Sequence, residues 1–258
     1  MIPDLKILGI TVYNWGYIVT MFFSFSFNLL WYRKKYKYKP LMALLITVSM
    51  VIFGFMIMLV LKMVHHDGIY YVRGVLFFPL AAYIVCLILK TNFAQMLDFA
   101  TPQSCINHAI PHYFCLFAGC CYGYPTTGHF AVWNEKQGAM LFPIQAVEST
   151  AVVLILLFII LYARKKQYNT HGIVYFIYML LFASTRFGFE FLRNNTDSFW
   201  QLSIHQNYCI AEVIVAVIFL ILIKRYLSHP ELKENHPLLY REDIDEWTRL
   251  KLAFKKGE

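Results

Sequence analysis

Residues 41–61 read LMALLITVSMVIFGFMIMLVL, twenty-one positions with no Asp, Glu, Lys or Arg. At 1.5 Å of rise per residue such a helix covers about 30 Å, the thickness of bilayer hydrocarbon. A run this long and this apolar reads as a membrane-spanning helix. The pattern recurs over residues 8–32, 69–89, 144–162, 172–192 and 208–223. One more segment, 93–119, is long enough but carries Asp98, Asn107, His108 and His112. The fold class expected is an all-α polytopic membrane protein with about seven transmembrane helices.

Composition agrees. Of 258 residues, 59% are hydrophobic and only 15% are charged, whereas soluble domains carry about 25% charged residues. The 23 Phe and 18 Tyr suit lipid contact and the headgroup belt. The net charge of +8 would suggest nucleic acid on a soluble protein. Here the basic residues cluster beside apolar runs and read as topology signals instead. No nucleic-acid partner is expected. The six cysteines sit within or beside apolar segments and do not resemble a secreted disulfide framework. No small-x-small cleavage pattern follows the first apolar run, so that segment is expected to stay as the first span.

Lys and Arg set the orientation. Arg33, Lys34, Lys35, Lys37 and Lys39 follow the first segment, Lys90 the third, Arg164, Lys165 and Lys166 the fifth, and Lys224 and Arg225 the seventh. These alternate connections share one side if all seven segments span. The expectation is an N-terminus outside and a C-terminus in the cytoplasm. Residues 1–227 then form a bundle with an outward-facing polar cavity. Residues 228–258 form a cytoplasmic tail, either an amphipathic helix on the inner surface or an irregular segment.

Ionisable groups inside spans cost roughly 2.5–3.5 kcal/mol each on insertion scales, so they mark interior or functional positions. In the sixth segment Arg186 and Glu190 are spaced i, i+4 on one face, with Arg193 nearly a turn beyond. They read either as a self-neutralising ion pair or as a site for a phosphate, which a guanidinium fork fits in a bidentate way. Gly119-Cys120-Cys121-Tyr122-Gly123 is a small-residue turn that permits close backbone approach. His108, His112 and Cys115 lie just upstream, yet no Cys-x-x-Cys pair accompanies them, so no metal is expected. Pro143, Gln145 and Glu148 open the fifth segment, where Glu148 either caps the helix dipole or joins the polar rim. Arg73 lies near the outer end of the third segment and either snorkels or faces the bundle. Asp98 and Glu212 have no evident partners. On the expected topology Arg73, Tyr122, Gln145, Glu148, Arg186, Glu190 and Arg193 fall in the external half, a net basic cavity suited to a charged lipid headgroup.

Four motifs in order carry a resemblance: Asp98-Phe99-x-x-Pro102, Gly119-x-x-Tyr122-Gly123, Pro143-x-Gln145-x-x-Glu148, and Arg186-x-x-x-Glu190-Phe191-x-Arg193. Over residues 68–223 the chain resembles the prolipoprotein diacylglyceryl transferase family. The resemblance implies seven helices and a transferase in a bacterial cytoplasmic membrane. That family moves a diacylglyceryl group from phosphatidylglycerol to the thiol of a lipobox cysteine and releases glycerol phosphate. No cofactor is implied. By resemblance Arg186 holds the phosphate, Glu190 positions it, and Arg193 guides the headgroup. Tyr122 and Gly123, with Gly119, shape the pocket wall, and Gln145 and Glu148 complete the rim.

The chain departs from the family pattern in its signature turn. His112 and Cys115 stand where the family has Arg and Asn, and Cys120 stands where it has Glu. The family's membrane His-Gly-Gly aligns weakly with Arg73-Gly74-Val75. His112 is then the substitute proton acceptor or cation and Arg73 the substitute positive charge. The resemblance therefore implies a divergent paralogue, whose acceptor is a prolipoprotein thiol or another group. The alternatives are a phospholipid-binding or transport protein without catalysis, and a thiol-redox or metal-handling membrane protein.

Overall fold

The computed structural model describes residues 6–65, 71–164, 172–193, 198–199 and 202–228. The tail expected beyond residue 228, and the basic pair Lys165–Lys166, lie outside the described residues. The described residues form seven α-helices: α1 (Val12–Ser26), α2 (Pro40–His65), α3 (Tyr71–Leu89), α4 (Phe93–Ala118), α5 (Ile144–Arg164), α6 (Ile173–Glu190) and α7 (Ile204–Ser228). A single π turn, Phe27–Trp31, and a 3-10 turn, Tyr32–Lys34, extend α1. Three two-stranded antiparallel hairpins decorate the helical fold. Five helices, α2, α3, α5, α6 and α7, are long and apolar enough to cross a membrane. α1 is short before its π turn, and α4 is diluted by its polar residues.

α4 is the centre of the bundle. It packs against α1 on one side and α5 on the other, and also meets α2, α3 and α6. Its interior face is buried from Ala94 to Ile106 almost without interruption. Tyr32, Tyr36 and Tyr38 close around Phe99 at its N-terminal end, with ring centroids 5.1–6.1 Å from the Phe99 ring. Such aromatic pairs contribute about 0.5–1.5 kcal/mol each beyond the area they bury.

Asp98, left without a partner by sequence reading, is fully buried and caps α6. Its Oδ2 accepts from Gly172 N at 2.8 Å and its Oδ1 from Tyr175 N at 3.1 Å. A buried carboxylate is stabilised here by two N–H donors and by the positive end of the α6 dipole. At the same end Lys35 Nζ donates to Ala163 O, and Arg164 lies 4.9 Å over the Trp31 ring. The basic residues after α1 and at the end of α5 therefore meet at one end of the bundle. The C-terminal ends of α4 and α6 and the N-terminal end of α5 meet at the other.

α7 begins at Ile204, earlier than the apolar run from residue 208 suggests. Ser203 and Gln206 explain it: Ser203 N donates to Gln206 Oε1 at 2.9 Å, and Gln206 N donates to Ser203 Oγ at 3.2 Å. This reciprocal capping box starts the helix before the hydrophobic pattern does.

Replacing Asp98 with Ala leaves the buried Gly172 and Tyr175 amides without this acceptor. A loss of about 2–4 kcal/mol is expected from the lost cap and the unsatisfied donors. Thermal unfolding in detergent would show a lowered midpoint, with Asp98→Asn falling between the two.

Candidate active site

The turn after α4 is built by backbone geometry. Gly119 ends α4 in the left-handed region, with φ +69°, and Cys121 is left-handed as well, with φ +57°. Asn134, buried in the hairpin 132–141, donates its Nδ2 to Gly119 O at 3.1 Å. Gln145 donates its Nε2 to Cys120 O at 2.5 Å. Gly123 N donates to Phe142 O, Tyr124 N to Leu192 O and Phe142 N to Tyr124 O, at 3.0–3.1 Å. Gly123 also pairs with Arg193 in an antiparallel bridge. The turn is thus stitched to the N-terminus of α5 and the C-terminus of α6. A Cβ on Gly123 would stand 2.8 Å from both Leu192 O and Phe142 O, so only glycine fits this crossing. Tyr122 sits half-buried on the same turn.

Inside this frame Glu148 is the hub. It is 2% exposed. Its Oε2 lies 2.6 Å from His112 Nε2 and 2.5 Å from Arg193 Nη2, and its Oε1 lies 3.1 Å from Arg186 Nη1. Arg186 Nη1 also pairs with Glu190 Oε2, and Arg193 Nε lies 3.6 Å from the same oxygen. Ser203 Oγ donates to Glu190 Oε1 at 2.9 Å, and Arg193 Nη1 donates to Cys121 O at 2.9 Å. The Arg186–Glu190 pair expected on one helix face is present, and Glu148 and Arg193 extend it into a network. Two guanidiniums and two carboxylates meet, so the set balances in charge, whereas Arg186, Glu190 and Arg193 alone carry a net positive charge. Burial opposes the charge of Arg193, but Glu148, Cys121 and Glu190 together outweigh it and raise its pKa.

His112 sits 3.1 Å from Arg193 Nη2 through the same Nε2 that meets Glu148. Arginine and a carboxylate make opposite demands on that nitrogen. The shorter contact, to a buried carboxylate, requires an Nε2–H donor. In the neutral ring the lone pair is then on Nδ1. The His112 ring stacks on His108 with centroids 4.9 Å apart, and His108 packs against Tyr71 and Phe182.

The cysteines divide by position. Cys86, Cys105, Cys115 and Cys209 are buried, Cys120 is half-buried, Cys121 is exposed, and all are free thiols.

Of the residues singled out by sequence, Gly119, Gly123, His112, Gln145, Glu148, Arg186, Glu190 and Arg193 come together in this way. Arg73 faces the bundle interior, 1% exposed, with its guanidinium 4.9 Å over the ring of Tyr208 on α7. Asn134 and Ser203 were not anticipated. The Ser203-x-x-Gln206 spacing was a usable signal for Ser203, whereas Asn134 joins the turn only through the tertiary fold.

The sequence profile of the prolipoprotein diacylglyceryl transferase family matches residues 5–222. The chain belongs to this family. Among its relatives, a phosphatidylglycerol-prolipoprotein diacylglyceryl transferase of Dehalococcoides mccartyi (strain ATCC BAA-2266 / KCTC 15142 / 195) is 26% identical over 148 residues, covering 56% of each chain. A second, from Finegoldia magna, is 28% identical over 155 residues, covering 60% of this chain and 61% of the relative. A third, named phosphatidylglycerol-prolipoprotein diacylglyceryl transferase 2, from Clostridium perfringens, is 30% identical over 111 residues, covering 41% of this chain and 43% of the relative. The chain thus spans about half the length of the diacylglyceryl transferases it matches.

Two substitutions probe the frame and the hub. Gly123→Ala forces a methyl group against two backbone carbonyls and is expected to destabilise by about 1–3 kcal/mol. Gly188→Ala, with nothing within 4 Å of the added Cβ, is expected to leave the melting temperature unchanged or raise it. Glu148→Ala leaves two guanidiniums to share one carboxylate, Glu190, and is expected to cost about 3–5 kcal/mol. Glu148→Gln, which keeps the shape, should cost less in the same melting experiment.

Proposed function

We propose that this chain is a phospholipid-dependent transferase of the bacterial cytoplasmic membrane. It moves a diacylglyceryl group from phosphatidylglycerol to an acceptor thiol, of a prolipoprotein or another molecule, and releases glycerol phosphate. The observation that carries the reading is the pair of guanidiniums, Arg186 and Arg193, held beside Glu148 and Glu190 at one end of an apolar helical bundle. A structural ion pair needs one arginine and one carboxylate. Two of each, tied to a glycine turn and a histidine, form a preorganised polar site in a low-dielectric setting.

The topology proposed has all seven helices spanning, with the N-terminus outside and the C-terminus in the cytoplasm. Its support is that Lys35 and Arg164 meet at the end of the bundle opposite the Glu148 network. Residues 1–227 then hold a cavity opening outward, and the segment from 228 lies at the inner face. The network sits at the depth of the outer headgroups.

As the donor's carbon–oxygen bond breaks, negative charge grows on the departing phosphate. Donors fixed beforehand stabilise that charge without reorganising. Arg186 holds the phosphate, Glu190 fixes Arg186, and Arg193 meets the headgroup nearer the surface. Glu148 holds both arginines in place and fixes the ring of His112. Gly119, Tyr122 and Gly123 form the wall, and Gln145 secures the turn through Cys120 O. Arg73 contributes positive charge from the α3 side. His112, Cys115 and Cys121 face the acceptor side.

A second reading, lipid binding without transfer, draws on the carboxylates that already occupy both guanidiniums. Release of glycerol phosphate decides between them. Purified protein in detergent, given phosphatidylglycerol labelled on its headgroup glycerol, should release label when a lipobox peptide is present. Arg186→Ala should lower that release by about 10²–10³-fold. Bound lipid with no release, with or without peptide, would establish binding without chemistry.

A further inference from the structure

The same turn gathers soft ligands. A ring nitrogen of His112 and the sulfurs of Cys115 and Cys121 all lie within 4.8 Å of one another. Cys115 is buried, His112 half-buried and Cys121 exposed, so the set runs from the bundle interior to the surface. On a tetrahedron with bonds of about 2.3 Å, ligand atoms stand about 3.8 Å apart. Side-chain rotation of about 1 Å therefore closes this set on an ion. The Nε2–H of His112 goes to Glu148 at 2.6 Å, so Nδ1 is the ring nitrogen with a lone pair to offer a metal. A carboxylate behind the ring is the usual support of a metal-bound histidine. The Cys120 thiol turns back to Cys115 O at 3.8 Å, outside the three-ligand set.

A second group, His108, His112 and Glu148, also lies within 4.8 Å. It suits a cation less, because Glu148 already carries Arg186 and Arg193. Two thiolates, in contrast, neutralise a divalent ion outright, and the neighbouring arginine then costs little.

We propose that His112, Cys115 and Cys121 form a site for a thiophilic cation of the zinc type, whose open fourth position takes the thiol of the acceptor. The cation site stands on the ligand geometry, and the role of its open position rests on the transferase reading above. Three protein ligands with a fourth position free is the arrangement of reactive rather than structural zinc. A thiol that coordinates such an ion loses its proton, here to water. The bound sulfur then attacks the donor's glycerol carbon: the S–C bond forms, the C–O bond to phosphate breaks, and glycerol phosphate leaves with the electron pair. The ion thereby supplies the deprotonated sulfur in a chain where Cys120 stands at the position of the family's glutamate.

The test uses the full-length protein, purified in detergent, kept reduced and stripped with a chelator. Titration with Zn2+ against a chromophoric zinc chelator should show one ion per chain with a Kd below about 1 µM. Cys115→Ser and Cys121→Ser should each weaken binding at least about 100-fold, while Cys209→Ser leaves it unchanged. Co2+ in place of Zn2+ should give a thiolate charge-transfer band, which a cysteine peptide shifts and its serine counterpart does not. Failure of the wild type to bind one ion, or binding intact in folded Cys115→Ser and Cys121→Ser, would overturn the site. Loss of the ion in Cys120→Ser, or a Co2+ spectrum the cysteine peptide leaves unmoved, would overturn the open position. None of these readouts needs turnover. An ion bound with no headgroup release would refute the transferase reading and leave the cation site standing.

Discussion

A single buried carboxylate, Glu148, constrains the end of the bundle where α4, α5 and α6 converge. An ionised carboxylate in a low-dielectric interior is tolerated only with charge partners and donors close by. Glu148 draws its partners from three directions: His112 on α4, Arg186 on α6 and Arg193 just past α6. Those contacts fix how α4, α5 and α6 converge. Glu190 and Ser203 extend the same network to the start of α7. Net charge then becomes a balance between two arginines and two carboxylates. Both guanidiniums are already oriented and occupied, so an anion entering here would have to displace a carboxylate rather than settle in a simply basic cavity.

Backbone geometry carries the other half of the site. The turn between Gly119 and Gly123 passes so close to Phe142 O and Leu192 O that a side chain at Gly123 has no room. This closeness places Cys121 O where Arg193 Nη1 reaches it, and lets Gln145 hold Cys120 O. The cost of the left-handed Cys121 is of order 1 kcal/mol, small against the hydrogen bonds that pin the turn on both sides. The thiols at Cys115 and Cys121 are therefore positioned by the same contacts that position Arg193.

The helices were legible because hydrophobic runs of membrane length are local facts; residues 41–61 need no tertiary information. The Arg186–Glu190 face was legible for the same reason, since i, i+4 spacing is a property of one helix. Glu148 was legible as a polar residue at the start of a helix, but its role as hub was not. Its partner Arg193 is 45 positions away, and no local rule distinguishes a dipole cap from an ion-network centre. Asp98 shows the same limit: its donors lie 74 and 77 residues on. Asn134 joins the site only because a hairpin folds its amide over the end of α4. Arg73 could be ranked by charge and depth, whereas its placement over Tyr208 depends on how α3 meets α7.

The departures that the resemblance implies for the turn share one change of chemistry. Arg, Asn and Glu offer a cation, hydrogen bonds and a carboxylate base. His112, Cys115 and Cys120 offer a weaker base and soft sulfur, and Cys121 adds a second thiol on the same turn. Thiols are poor hydrogen-bonding substitutes for Asn and Glu, yet two of them, Cys115 and Cys121, gather beside His112, which itself meets Glu148. Glu148, Arg186, Glu190 and Arg193 form one buried ion network, and the sulfurs of Cys115 and Cys121 gather on the other side of His112. Because His112 Nε2 and Arg193 Nη2 share Glu148 Oε2, a movement of the His112 ring is felt at the arginines. The histidine and the two arginines are therefore coupled through one carboxylate.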